Sequence, residues 1–283
     1  MKILANDGIS KSGIDALEKS GFEVITTKVA QEQVANFINK NDIGVLIVRS
    51  ATKVRKDVID ACPSLKIIGR GGVGMDNIDV EYARSKGIHV INTPASSSES
   101  VAELVFAHLF TGIRFLHDSN RNMPLEGDTN FENLKKAYAN GIELRGKTLG
   151  IIGMGRIGKA VARMAIGLGM KVIYSDVHIP HKDLKIHFFD GQTICISLSS
   201  QSLESLFAAA DFITLHVPAQ DNYVIGEKDF ELMKDGVGII NCARGGAIDE
   251  VALIEALDNG KVLFAGLDVF ENENWTNCTE PER

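Results

Sequence analysis

Gly153, Gly155 and Gly158 stand in the spacing G-x-G-x-x-G between the apolar run Leu149–Ile152 and the helix-compatible run KAVARMAIGLG. Asp176 closes the run that follows, Lys171–Ser175. Each type has a mechanical use at that spacing. Gly153 lets the chain turn sharply off a strand, Gly155 lets the backbone approach a diphosphate, and Gly158 lets a helix pack closely on a sheet. A diphosphate would sit at the helix N-terminus, where N–H groups and the macrodipole favour negative charge. Asp176 would accept hydrogen bonds from ribose hydroxyls and repel a 2′-phosphate, which selects NAD over NADP; neighbouring Lys182 argues the other way. The alternative is an ordinary strand–turn–helix with no ligand.

A nicotinamide cofactor implies hydride transfer, so the protein must add a cation for a substrate carboxylate and an acid/base for the reacting oxygen. Arg244 follows the run GIIN and precedes two glycines that leave its planar fork unobstructed, suiting a 2-hydroxy or 2-oxo acid. It would equally serve to cap a helix or to pair with Asp249 or Glu250. Glu273 follows another strand end; it is either the partner of an acid/base imidazole or one more surface acid in ENEN. His216 ends a strand beside the nucleotide turn, while His89, His108 and His117 read as structural. A second anion site is indicated by GVLIVRS, a buried-strand run ending on Arg49 and Ser50, and by GRGGVGMDNID, whose Gly71, Gly72 and Gly74 could offer a backbone nest. A solvated arginine and a flexible surface turn are the alternatives there.

Positioning these groups requires alternating strands and helices. The order reads strand Lys2–Ala5, helix Ser10–Ser20, strand Glu23–Thr26, helix Gln31–Lys40, then GVLIVRS, helix Lys53–Ala61 and strand Leu65–Gly69. HVIN is a strand, and a long helix opens near Ser98–Ser100. That helix is apolar on more than one face, which predicts packing between domains or subunits. Asn120–Asn140 reads as a polar irregular arm and His178–Gln192 as a charged connector. Past that connector come helix Leu203–Ala209, strand Ala210–Leu215, helix Glu227–Met233, GVGIIN, the helix after Arg244, and strand Leu263–Val269. The expected fold is therefore α/β: a doubly wound parallel sheet, Rossmann-like, over residues 96–283, and a second α/β substrate domain over 1–95.

Composition bounds the rest. With 283 residues there is length for two domains, and 45% hydrophobic with 24% charged residues is the balance of a soluble globular chain. A net charge of −7 disfavours a general nucleic-acid binder. MKILANDG turns polar after three apolar positions, and no run approaches a membrane span, so a cytoplasmic protein without membrane association is expected. Cys62, Cys195, Cys242 and Cys278 are scattered, predicting reduced and mostly buried thiols; His178, His181 and His187 lack ligand spacing, so no metal is expected.

GxGxxG, HVP, NCARGG and GLDVFENE, in this order, resemble the D-isomer-specific 2-hydroxyacid dehydrogenases, and most closely their 3-phosphoglycerate dehydrogenase branch. The likeness runs from residue 1 to about 273 and includes VRSATKV, GRGGVGMDNID and SVAELVFAHL. It implies a flavodoxin-like substrate domain and a catalytic pair, Arg244 and Glu273. The implied cofactor contacts are Val73, Gly153, Gly155, Arg156, Ile157, Gly158, Asp176, Val217, Pro218, Cys242, Ala243 and Asp268. Arg49, Ser50, Gly72 and Gly74 are the implied substrate contacts. The implied reaction is oxidation of 3-phospho-D-glycerate to 3-phosphohydroxypyruvate, the entry to serine synthesis, in a homodimer built partly through the helices after residue 98. A hydroxypyruvate or D-lactate type enzyme is the alternative and would need no phosphate pocket, for which Arg49, Arg121, Lys135 and Lys136 are candidates; an NAD(H)-binding protein without turnover is the third reading. Two features depart from the family: Asn274 stands where a proline is usual, and WTNCTEPER lacks the usual acid/base histidine segment. The expectation is a truncated end, without a regulatory domain; otherwise Lys261 or His216 would carry the proton.

Overall fold

A computed structural model describes residues 1–272 as two compact units, the second beginning at Ser98. Glu273 and the residues after it lie outside the described part.

The first unit runs β1 (Lys2–Ala5), α1 (Lys11–Lys19), β2 (Glu23–Ile25), α2 (Val34–Asn41), β3 (Ile43–Val48), α3 (Lys56–Ala61), β4 (Ile67–Arg70), α4 (Val80–Ser85) and β5 (His89–Asn92). Its strands are all parallel in the order β2-β1-β3-β4-β5, the flavodoxin-like arrangement. Continuous runs such as Ile43–Val48 are buried on both faces, because helices cover both sides of a parallel sheet. Ser10 ends the chain's approach to α1 by accepting from Gly13 N–H at 3.2 Å, which explains a helix starting at Lys11.

The second unit opens with α5 (Ser98–Ile113), α6 (Leu116–Glu126) and α7 (Phe131–Ala137). The core then alternates β6 (Thr148–Ile152), α8 (Arg156–Gly167) and β7 (Lys171–Ser175), followed by β8 (His181–His187) and β9 (Thr193–Ser199). It ends α9 (Leu203–Ala209), β10 (Phe212–Leu215), α10 (Glu227–Leu232), β11 (Val237–Asn241), α11 (Glu250–Asp258) and β12 (Val262–Leu267). The parallel sheet is ordered β12-β11-β10-β6-β7, so the order reverses between β6 and β10. One apolar cluster packs α5 and α8 on one face; the other packs α9, α10 and α11 on the opposite face.

Three expectations are corrected. Residues 120–140 are mostly helical, because a few apolar groups suffice to dock them: Leu134 is buried, Phe115 stacks against Tyr138, and Asn122 Nδ2 donates to Tyr138 Oη at 3.0 Å. The connector after Asp176 is an antiparallel hairpin, in which Leu184, Ile186, Ile194, Ile196 and Leu198 alternate with polar residues at period two. Its tip turns at Asp190–Gly191, with Gly191 at φ +85°, where glycine is favoured. Thirdly, Cys195 on that hairpin is exposed, whereas Cys62 is buried and Cys242 partly so; all three are free thiols. One apolar side of α5, with Ala102, Val105, Phe106 and Leu109, is buried between α8 and the β11–β12 side of the sheet, while Ala107 and Phe110 are exposed. Close approach is visible at Gly266, where a Cβ would meet His108 Cβ at 2.6 Å.

Candidate active site

The glycine turn joins β6 to α8 at the carboxyl edge of the second sheet, beside the strand-order reversal where ligands of open α/β sheets gather. Gly153 has φ +96°, and a Cβ there would lie 2.6 Å from the His216 carbonyl oxygen. A Cβ on Gly158 would strike the Gly153 carbonyl, so α8 starts directly against the turn. Around the missing side chain of Gly155 nothing comes within 4 Å, and as N-cap it gives α8 no side-chain acceptor. The turn therefore leaves an open approach to the free first-turn N–H groups of a helix, the fit required by a diphosphate. Arg156 is exposed at the first helical position. Lys159 has its pKa lowered by burial and by repulsion from Lys182, Arg156 and Arg163, so the α8 surface here is electropositive.

Asp176 has three backbone partners of its own. Its Oδ2 accepts from Met154 N–H at 2.7 Å, and Oδ1 accepts from His178 and Ile179 N–H at 2.8 and 2.9 Å. The carboxylate thus ties the glycine turn to the end of β7 and is held in a defined orientation. Ile157 is half-buried under the turn, and Val217 and Pro218 follow β10 across the reversal. Val217 Cγ1 lies 3.4 Å from the Cβ position of Gly153.

Two strands away on the same edge, β11 ends in the turn that carries Arg244. Asn241, 1% exposed, accepts from Ala243 N–H through Oδ1 at 3.0 Å and donates from Nδ2 to Arg244 C=O at 2.8 Å. Its own carbonyl accepts from Asp268 N–H at 3.0 Å. Ala243 is buried, and Arg244 Nη1 donates back to Ala243 C=O at 2.6 Å. Asp249, proposed as an arginine partner, instead caps α11 by accepting from Ala252 N–H at 3.1 Å. Glu250 Oε1 accepts from Glu271 N–H at 2.7 Å. Burial, then the Asp268 charge, pushes the Cys242 thiol up to about 12, so it is a neutral wall of the site and no nucleophile.

The two alternative proton carriers sit at different places in the sheet. His216 is held by Thr214 Oγ1 at 3.2 Å from Nε2, and burial lowers its pKa to about 4, leaving it neutral at pH 7. Residue 216 as a whole is half-buried, with its Nδ1 out of contact with solvent. Lys261 precedes β12 at the amino edge, where it pairs with Asp235 at 2.9 Å, at the far end of the sheet from the glycine turn.

In the first unit, Arg49 and Ser50 follow β3 at its own switch point with β1. Asp7 Oδ2 accepts from Arg49 and Thr52 N–H at 2.7 and 3.0 Å, and Thr52 Oγ1 donates to Oδ1 at 2.6 Å. Asn77 Nδ2 spans Arg49 C=O and Thr52 C=O. The loop after β4 is less of a nest than its glycines suggest: Gly71 N–H donates to Val48 C=O at 2.8 Å and Gly72 N–H to Arg70 C=O at 3.0 Å. Val73 is exposed at the loop crest, its carbonyl held by Asn92 Nδ2 at 2.7 Å; Gly74 follows it. The Arg49 stem lies along Gly71, and a Cβ on Gly72 would collide with the Arg70 guanidinium. Arg121, Lys135 and Lys136 sit on α6 and α7 of the other unit, the two lysines in the last turn of α7, where cations suit the dipole. Sequence reasoning missed Asn241, Asp7 and Arg70. For Arg70 a signal existed, since β4 ends on an arginine much as β3 is followed by one; Asn241 and Asp7 have no local pattern that separates them from turn residues.

Residues 106–281 match the family model described as D-isomer specific 2-hydroxyacid dehydrogenase, NAD binding domain. The chain belongs to the D-isomer-specific 2-hydroxyacid dehydrogenases. Among relatives of this family member, the D-3-phosphoglycerate dehydrogenase of Methanocaldococcus jannaschii is 43% identical over 275 residues, 96% of this chain and 49% of that protein. A hydroxypyruvate reductase of Thermotoga maritima is 42% identical over 96% of this chain and 83% of its own length. The chain thus spans about half the length of the phosphoglycerate dehydrogenases it matches, with 49% covered in the first. Of solved structures, holo D-mandelate dehydrogenase from Rhodotorula graminis gives a TM-score of 0.81 at 26% identity, with 96% of this chain and 82% of that chain covered. D-lactate dehydrogenase from Aquifex aeolicus, complexed with NAD and lactic acid, gives 0.70 at 30% identity, with 96% and 78% covered. The dehydrogenase chain accordingly carries the family's NAD-binding domain. Among the described residues no cluster fit to hold a metal is present, and no helix is long and apolar enough to cross a membrane.

Proposed function

We propose that this chain oxidises a D-2-hydroxy acid with NAD, and that 3-phospho-D-glycerate, giving 3-phosphohydroxypyruvate for serine synthesis, is its substrate. The observation that carries this reading is one sheet edge presenting both an open glycine turn with Asp176 and a side-chain-locked turn bearing Arg244. When bound, NAD supplies the hydride acceptor. Gly153, Gly155 and Gly158 with Arg156 and Ile157 receive its diphosphate half, Asp176 the adenosine ribose, and Val217, Pro218, Cys242, Ala243 and Asp268 the remainder. Val73, in the first unit, is assigned to the nicotinamide end. Arg244 binds the substrate carboxylate through its planar fork and polarises the reacting oxygen. Arg49, Ser50, Gly72 and Gly74 are assigned to the substrate's anionic groups, with residues 1–95 as the substrate domain and 96–283 as the NAD domain. Glu273, outside the described residues, is the second proposed catalytic group. We place the protein in the cytoplasm as a homodimer.

A hydroxypyruvate or D-lactate type dehydrogenase is the second reading, favoured by the 42% identity to a hydroxypyruvate reductase over 83% of its length. An NAD(H)-binding protein without turnover is the third. NADH formation with 3-phospho-D-glycerate, D-glycerate and D-lactate ranks the first two. Arg244→Ala is expected to lose turnover while NAD affinity stays within about tenfold. A parallel loss of NAD affinity would show that the arginine serves the cofactor instead.

A further inference from the structure

We propose that Asn241 is a positioning residue that holds Arg244 in its substrate-binding orientation; this rests on the reading of Arg244 given above. Asn241 is the last residue of β11 and one of the few polar side chains buried in the second unit, at 1% exposure. A fully buried carboxamide has to find partners, since an unsatisfied one costs about 1–3 kcal/mol. Both of its ends are spent on the arginine turn, Oδ1 on Ala243 N–H at 3.0 Å and Nδ2 on Arg244 C=O at 2.8 Å. The acceptor bond alone is the ordinary Asx-turn, which an aspartate or serine would reproduce. The donor bond to Arg244 C=O is different: it fixes the peptide that follows the arginine Cα, and an amide carries acceptor and donor on two separate atoms that reach the two partners together, where a hydroxyl has one shorter atom for both. The Asn241 backbone carbonyl simultaneously receives Asp268 N–H at 3.0 Å, so the same residue registers the β12 exit against the arginine turn.

Neighbouring constraints point the same way. Gly245 has no room for a side chain, because a Cβ would run into Phe270 C=O and would stand 2.8 Å from Glu271 N. Glu250 Oε1 then holds Glu271 N–H at 2.7 Å. The turn is therefore clamped from β11, β12 and α11, and Asn241 supplies the side-chain bond to the Arg244 carbonyl, at 2.8 Å, beside the longer backbone bond from Ala247 N–H at 3.2 Å. Ala243 and Asp268, assigned above to the cofactor, are held by the Oδ1 and the backbone carbonyl of Asn241, whereas Nδ2 holds Arg244 alone, so loss of the Nδ2 donor with the acceptor kept should separate substrate affinity from cofactor affinity.

Asn241→Asp, assayed at a pH where the carboxylate is ionised, is the incisive variant: it then keeps the acceptor for Ala243 N–H, has no proton to donate to Arg244 C=O, and preserves shape. Asn241→Ser, which retains a shorter acceptor, is the second variant should the buried carboxylate unfold the chain. NADH affinity is read by nucleotide fluorescence, and hydroxypyruvate affinity by titration into the NADH complex, with Arg244→Ala as control. The expected result is hydroxypyruvate binding weakened at least about tenfold with NADH affinity within twofold, in whichever variant is folded by circular dichroism. Unchanged hydroxypyruvate affinity, or equal loss of both ligands, overturns the positioning role. Should Arg244→Ala bind hydroxypyruvate as the unaltered chain does, the Arg244 reading itself falls and this role with it. Loss in Arg244→Ala but not in Asn241→Asp removes Asn241 alone.

Discussion

Lowering the pH from 7 to 4 sets the burial of His216 against the unfolded chain, where the same imidazole protonates freely. In the folded protein its pKa is lowered from 6.5 to about 4, because burial disfavours the charged ring. Between those values the unfolded state binds the extra proton and the native state does not, so stability falls as the pH falls through that window. The full shift of about 2.5 units at 1.36 kcal/mol each corresponds to roughly 3 kcal/mol, complete near pH 4 and absent above about pH 7. Carboxylates act in a lower window. Burial raises the pKa of Asp7, but hydrogen bonds from the Thr52 side chain and the Thr52 and Arg49 N–H groups lower it on balance, so its contribution is lost below the ordinary value of 3.8. Urea denaturation at pH 7, 6, 5 and 4.5 for the unaltered chain and for His216→Gln isolates the histidine. Glutamine can still bond Thr214 but cannot take the proton. The unaltered chain should lose roughly 2–3 kcal/mol more than the variant between pH 7 and 4.5. Parallel pH curves for the two proteins would refute the burial argument.

Gly155→Ala should leave stability within about 1 kcal/mol, since φ is −68° and nothing stands within 4 Å of the new methyl, yet weaken NAD binding at least about tenfold by filling the approach to the diphosphate. Calorimetric NAD titration of the folded variant checks this, and unaltered affinity would move the nucleotide elsewhere. Iodoacetamide at pH 7.5, followed by peptide mass mapping, should label exposed Cys195 well before Cys62 and Cys242, whose thiols are pushed to about 11 and about 12. Equal labelling of all three would contradict their burial.

Much of the fold was legible because buried parallel strands write themselves as unbroken apolar runs: GVLIVRS, TLGII and GIIN each became a strand with the expected edge residue at its end. Helix limits were legible where a side chain caps, as at Ser10 and Ser202. The hairpin after Asp176 was missed because charges and histidines on its outer face hid the alternation beneath. Helices α6 and α7 were missed because Leu134, Phe115 and Tyr138 are too few to write a helical period. At the site, the glycine spacing announced its geometry, since φ +96° and the contact of Gly158 with the turn are backbone requirements that glycine alone meets. The second sites of Asp176, on Met154, His178 and Ile179 N–H, and the role of Asn241 depend on bonds that form only when separate strand ends are brought to one edge. No local pattern encodes them.

The central claim is that the turn at Gly153–Gly158 receives NAD and that Arg244 then turns over a D-2-hydroxy acid beside it. Titrating NAD into the chain by calorimetry, with NADH formation followed in the same sample after adding 3-phospho-D-glycerate, tests it most directly. Saturable binding of one NAD per chain, weakened at least about tenfold in Gly155→Ala, with NADH formed in the unaltered chain and not in Arg244→Ala, is the predicted result. No NAD binding by the unaltered, folded chain would contradict the account.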